Sequence, residues 1–139
     1  IIIDKWVERI CYNVDLLTVK EENEKAYYVC NLKHKDAGME RDVTDEVGRY
    51  GKGTYRLQFK AKTAQGKGES SLEGIFDYQY GMTKKNSRKS CVIKEEWQEY
   101  SLDFNITWEG DFIISARIGF CSPEMTDFLV KDIVLLKID

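Results

Sequence analysis

The sequence predicts an all-β domain, an antiparallel sandwich or barrel of about nine short strands. Three observations carry this. Apolar residues recur at every second position in run after run. Turn-forming segments separate those runs at short intervals. No stretch between them shows the 3.6-residue period of a helix that could link parallel strands.

The clearest run covers 54–62, where Tyr55, Leu57, Phe59 and Ala61 share one face and Arg56, Gln58, Lys60 and Lys62 the other. Residues 98–106 repeat the pattern, with Tyr100, Leu102, Phe104 and Ile106 inward. From 111 to 121 the inward set reads Phe112, Ile114, Ala116, Ile118 and Phe120, with Ser115 and Arg117 outward. The run 128–138 is apolar on both faces apart from Lys131, Asp132 and Lys137, which predicts a central, covered strand. Weaker strands are expected at 13–20, 26–32, 39–44, 71–80 and 90–94. Turn-rich stretches lie at 21–25, 48–53, 64–70, 81–89 and 122–126. Residues 42–47 have the composition of a short helical turn, with Asp42 or Thr44 as its cap.

Composition narrows the function. The 139 residues are 42% hydrophobic and 32% charged, a globular balance able to offset the entropy of ordering. A net charge of -3 lacks the basic field of a nucleic-acid or anionic-membrane binder, and no apolar run is long enough to cross a bilayer. A single histidine, His34, sits among charged neighbours, which disfavours histidine-based metal sites and Ser-His or Cys-His catalysis. Cys11, Cys30, Cys91 and Cys121 form no C-x-x-C pair. Two disulfides or four buried thiols both fit that spacing. Beginning at Ile1-Ile2-Ile3, the chain is expected to be a module cut from something longer, with no compartment written in it, and a monomer is expected.

Certain segments, in order, carry a resemblance. They are Arg41-Asp42-Val43-Thr44, the strand Gly53-Thr54-Tyr55 through Lys62, Glu96-Trp97 leading to Phe104, and Asp127-Phe128 through Asp132. This order resembles carbohydrate-binding modules of families 4, 9 and 22, over most of the chain from about Val14 onward. The resemblance implies a β-sandwich jelly roll that binds a polysaccharide or oligosaccharide, with no catalysis of its own. It further implies a covalently linked catalytic domain in a secreted parent enzyme acting on plant cell-wall β-glucan or hemicellulose. A jelly-roll spacer or protein-interaction module that has lost sugar binding is the alternative. A structural calcium ion near the termini is also implied, with Asp132 as the matching ligand and Lys131 where a second Asp is usual.

The ligand positions depart from the family. Xylan-binding members carry an Arg after the Asn of the second strand and a Trp soon after; here stand Leu32 and Lys35 or Asp36. The Tyr and Glu of the penultimate strand are replaced by Ala116, Arg117 and Gly119. Any sugar site must therefore be built differently. Sugars stack on aromatics and hydrogen-bond to planar polar groups. The candidates are Tyr78 and Tyr80, or Asp77 and Gln79 if the tyrosines face the core. Arg56, Gln58 and Arg117 stand on outward rows, and Trp108 falls at an expected hairpin tip. Two opposed carboxylates could in principle cleave a glycosidic bond, but no pair can be set across a cleft from spacing alone.

Overall fold

The computed structural model describes residues 1–9 and 12–139. Within them the order is β1 (Val7–Glu8), β2 (Asp15–Glu21), β3 (Glu24–Cys30), β4 (Gly38–Asp42), α1 (Thr44–Tyr50), β5 (Gly53–Thr63) and β6 (Ser70–Tyr80). There follow β7 (Thr83–Ile93), β8 (Gln98–Ile106), β9 (Ser115–Cys121) and β10 (Phe128–Lys137). The first sheet runs β2-β3-β10-β5-β8 and the second β1-β4-β9-β6-β7, every pairing antiparallel. The two pack face to face as a sandwich.

Alternation drives the packing. Along β5 every second side chain from Tyr55 to Thr63 is buried, and along β8 Leu102, Phe104 and Ile106 are. The second sheet answers with Leu72, Phe76 and Tyr78 of β6 and Ala116, Ile118 and Phe120 of β9. Rings cross the interior: Phe59 meets Phe120 edge-on at 4.8 Å and Phe76 meets Phe104 at 5.6 Å. Gly74 stands among them because a Cβ there would lie 2.6 Å from Leu102 Cδ1. As its double-sided apolarity predicts, β10 is central, between β3 and β5.

The short helix forms where the sequence places it, with a different cap. Val43 is the N-cap and makes no side-chain cap bond, while Asp42 Oδ1 accepts the Thr44 N–H at 2.8 Å. Thr44 then clips the helix to β9, its Oγ1 accepting the Ala116 N–H at 3.0 Å.

Three expectations are corrected. Residues 83–89, read as turn, form most of β7. This is an edge strand whose exposed Lys-Lys-Asn-Ser-Arg-Lys run carries no apolar alternation to betray it. The strand expected from 111 starts only at Ser115. Before it the chain turns out of phase, so that Ile113 is buried while Phe112 is 74% and Ile114 48% exposed. The short β1, unplaced in sequence, pairs with β4.

Cys30, Cys91 and Cys121 are free thiols, and Cys11 lies outside the described residues. Burial pushes Cys121 up to about 12 and Cys91 up to about 11, so both stay protonated and unreactive near neutrality.

Strand spacing at β4 sets a sharp constraint. A Cβ on Gly38 would fall 1.8 Å from the Phe120 carbonyl oxygen, a backbone atom that cannot swing away. Gly38→Ala is expected to lose about 3 kcal/mol in urea unfolding, at the upper end of overpacking costs. Native-like stability of that variant would show that β4 and β9 can part freely.

Candidate functional site

The antiparallel register lines up outward side chains from four strands of the second sheet. Asp42 of β4 lies opposite Arg117 of β9, Arg117 opposite Asp77 of β6, and Asp77 opposite Asn86 of β7. One row over, Ser115 of β9, Gln79 of β6 and Lys84 of β7 are likewise in register. All but Asp42 line a hollow of about 440 Å³, together with Lys85 and Tyr78. Asp42 and Ser115 border a second hollow of about 760 Å³ between α1 and the segment before β9, where Arg49, Tyr50 and Ile114 contribute. The two hollows share Ser115.

Within the row, charges are held unequally. Asp77 is fixed from both sides: Arg9 Nη1 lies 3.5 Å from its Oδ2, and Asn86 Nδ2 donates to its Oδ1. Arg9 reaches Asp77 by crossing the sheet above Gly119, where a Cβ would stand 3.3 Å from its Nη1. On the other side of Arg117, burial alone would raise the Asp42 carboxyl. The side-chain and backbone hydrogen bonds of Thr44 and the charges of Arg117 and Arg41 outweigh this and hold it below the usual carboxylate range. Arg117 itself is exposed, and its guanidinium makes no hydrogen bond or ion pair among the described residues.

Of the sequence candidates, Asp77, Gln79 and Arg117 come together, with Tyr78 beneath. The tyrosines face the core: Tyr78 is 7% exposed and Tyr80 half-buried, stacked at 6.4 Å from it. Neither is a platform for a sugar. Arg56 and Gln58 are corrected. Their strand, β5, belongs to the other sheet, so they point out of the opposite face of the sandwich, where Arg56 grips Asp103 at 2.8 and 3.1 Å. Trp108 is corrected as well. It is 7% exposed, with Lys52 Nζ 5.4 Å from its ring centroid. The alternation of β8 simply continues through Ile106 to Trp108, a signal already present in the spacing. Trp6 is buried, and Trp97 is half-buried between Lys62 and Lys131 at 4.9 and 4.4 Å.

Asn86, Lys84, Lys85 and Ser115 escaped the sequence reading because β7 was read as a turn and Ser115 as a spacer. The calcium expectation meets a poor donor set. Asp132 lies 3.6 Å from Lys60 Nζ, and no three His, Cys, Asp or Glu side chains converge among the described residues. A cation beside the one expected carboxylate does not fit a calcium site.

Similarity to known proteins lies in the backbone. No protein-family model and no curated protein matches the sequence. Solved structures of jelly-roll carbohydrate-binding modules do match, and the fold is that jelly roll. The CBM22-2 xylan-binding domain of Xyn10C from Paenibacillus barcinonensis matches with a TM-score of 0.77 and 13% identity, over 98% of this chain and 93% of that one. The CBM22-1-GH10 modules of Clostridium thermocellum Xyn10B, complexed with xylohexaose, match at 0.74 and 15%, over 96% of this chain and 26% of that one. A CBM4 structure matches at 0.65 and 14%, over 96% and 86%.

Beside the row, Arg88 closes a charged bridge, 2.9 Å from Asp36 and 2.6 Å from Glu73. Burial would raise the Asp36 carboxyl, but the Arg88 hydrogen bond and charge, helped by Lys35 and His34, hold it low. A carboxyl lowered by folding adds stability above its unfolded pKa of about 3.9, and that stability is lost as pH falls through the folded value. Arg88→Met is expected to lose about 1–2 kcal/mol near neutrality, between the values for surface and buried pairs. Urea midpoints measured downward from pH 7 should show the gap from the native protein closing below about pH 4. A gap unchanged to about pH 3 would sink the bridge as a source of stability.

Proposed function

We propose that this domain is a non-catalytic carbohydrate-binding module that holds a polysaccharide chain along the outer face of the second sheet. The observation that carries the reading is the transverse row Asp42, Arg117, Asp77 and Asn86 along two open hollows that share Ser115. Planar amide, carboxylate and guanidinium groups set in register match the hydroxyl pattern of a sugar chain, and the second hollow adds Tyr50 and Ile114 beyond Ser115. Xylan-binding domains of the same fold support the reading. The ligand class is cell-wall hemicellulose or β-glucan, and the setting is a secreted enzyme whose linked catalytic domain gains effective concentration on its substrate.

Hydrolysis is not part of the proposal. In the smaller hollow the one carboxylate, Asp77, is engaged by Arg9 and Asn86; in the larger, Asp42 is engaged by Thr44 and Glu46 by Arg41, which leaves Asp45 alone, whereas glycoside cleavage uses two facing carboxyl groups. A spacer that has lost sugar binding is favoured by one observation, the absence of an exposed tryptophan among the described residues.

Affinity electrophoresis through gels containing xylan, mixed-linkage β-glucan, xyloglucan or glucomannan separates these readings. Retardation by at least one polymer is expected. Arg117→Ala, a change at an exposed position, should weaken that retardation about ten-fold or more while leaving the unfolding midpoint unchanged, as loss of a charged hydrogen-bond donor implies. Free migration in every gel would leave the spacer reading standing instead.

A further inference from the structure

The cations of the two outer faces are treated differently. On the first sheet four are ion-paired, Arg56 with Asp103, Lys60 with Asp132, Lys62 with Glu21 and Lys131 with Glu24, while Lys20 and Lys25 lie opposite each other on β2 and β3. At the smaller hollow of the second sheet, Lys84, Lys85 and Arg117 line the same space, and none has an ion pair or side-chain hydrogen bond among the described residues. The hollow's single carboxylate, Asp77, is already engaged by Arg9. Two cations without an ion pair, Lys84 and Arg117, therefore stand on the outward side of one open cavity, Arg117 sharing its field with Asp42, on a chain whose net charge is negative.

The same hollow lacks a stacking surface, since its only aromatic lining residue, Tyr78, is 7% exposed. A neutral sugar held there would exchange hydrogen bonds with water for hydrogen bonds with protein, at small net gain. A carboxylate would instead take charge-assisted bonds, which are shorter and about twice as strong. The register places Lys84 and Arg117 on β7 and β9, on either side of β6 and offset by two residues, so about 12 Å apart at the backbone. Both side chains are long enough to converge over Gln79 and Asp77.

Resting on the carbohydrate-binding reading above, we infer that the hollow selects a uronic-acid unit, with Lys84 and Arg117 closing on its carboxylate. The preferred ligand is an acidic polysaccharide in place of a neutral one. The uronate can be a side group on a neutral backbone or a unit of the main chain, and the two are distinguished by polymer.

The test compares retardation by 4-O-methylglucuronoxylan with retardation by the same polymer after chemical reduction of its carboxyl groups. Polygalacturonate, dextran sulfate and neutral β-glucan are run alongside. The native glucuronoxylan is expected to bind about ten-fold or more tightly than its reduced form, the ratio shrinking as salt rises from about 0.1 M to about 1 M and the screening length falls from about 10 Å to about 3 Å. The Lys84→Gln/Arg117→Gln variant should bind the native and reduced polymers alike. The matched Lys20→Gln/Lys25→Gln variant, altered on the first sheet, should keep the native preference. Retardation by glucuronoxylan alone assigns the uronate to a side group, and retardation by polygalacturonate assigns it to the main chain; both support the inference. Equal binding of native and reduced glucuronoxylan overturns it while leaving the carbohydrate-binding reading intact. Equal retardation by dextran sulfate overturns it in favour of unselective polyanion binding. No retardation by any polymer, neutral β-glucan included, overturns both.

Discussion

Everything in this molecule depends on aromatic rings meeting across the gap between two sheets. Phe59 and Tyr55 project from one sheet and Phe76 and Phe120 from the other, and their tilted and edge-on contacts lock the sheets in a single relative position. Because side chains alternate along a strand, fixing the inner set fixes the outer set as well. The outward row that contains Arg117 and Asp77 is thus positioned by Ile118, Phe76 and Tyr78 on the reverse of the same strands. A one-residue slip of β6 against β9 would turn Asp77 into the core and scatter the row.

The division of labour between the outer faces follows from this. The first sheet carries the covered strand β10, with its buried Lys131 and a small apolar cluster of Ala26, Ala64 and Leu129 beneath Trp97. Four of the cations on that face are ion-paired. Behind the second sheet, Arg9 and Arg88 take up Asp77, Asp36 and Glu73 over one half of the surface, and the other half is left open. A total charge of -3 conceals this unevenness.

Much of this was legible in the sequence. The alternation in 54–62 and 98–106 located β5 and β8 closely and fixed which side of each would be inward, and the double-sided apolarity of 128–138 located β10 as a central strand. The site was half legible. Arg117 could be named as an outward group, and Asp77 with Gln79 as the alternative to Tyr78 with Tyr80, but period-2 spacing says nothing about which sheet a strand joins. Arg56 and Gln58 on β5 were for that reason grouped with residues that lie on the far side of the sandwich. Lys84, Lys85 and Asn86 were hidden for another reason. An exposed edge strand has little apolar surface to bury on either face, so its composition is that of a loop. Arg9 belongs to neither case: its place over Gly119 is a tertiary contact with no local signature.

The edge position of β7 has a consequence for the behaviour of the protein in concentrated solution. Its outer backbone groups have no neighbouring strand, and Val92 is exposed near its end, so the strand offers a template on which another chain could add. The run of like charges from Lys84 to Lys89 makes that addition repulsive between identical molecules. The residues that leave the hollow electropositive therefore also keep copies of the domain from zipping together edge to edge, and the domain stays dispersed because its open edge is cationic.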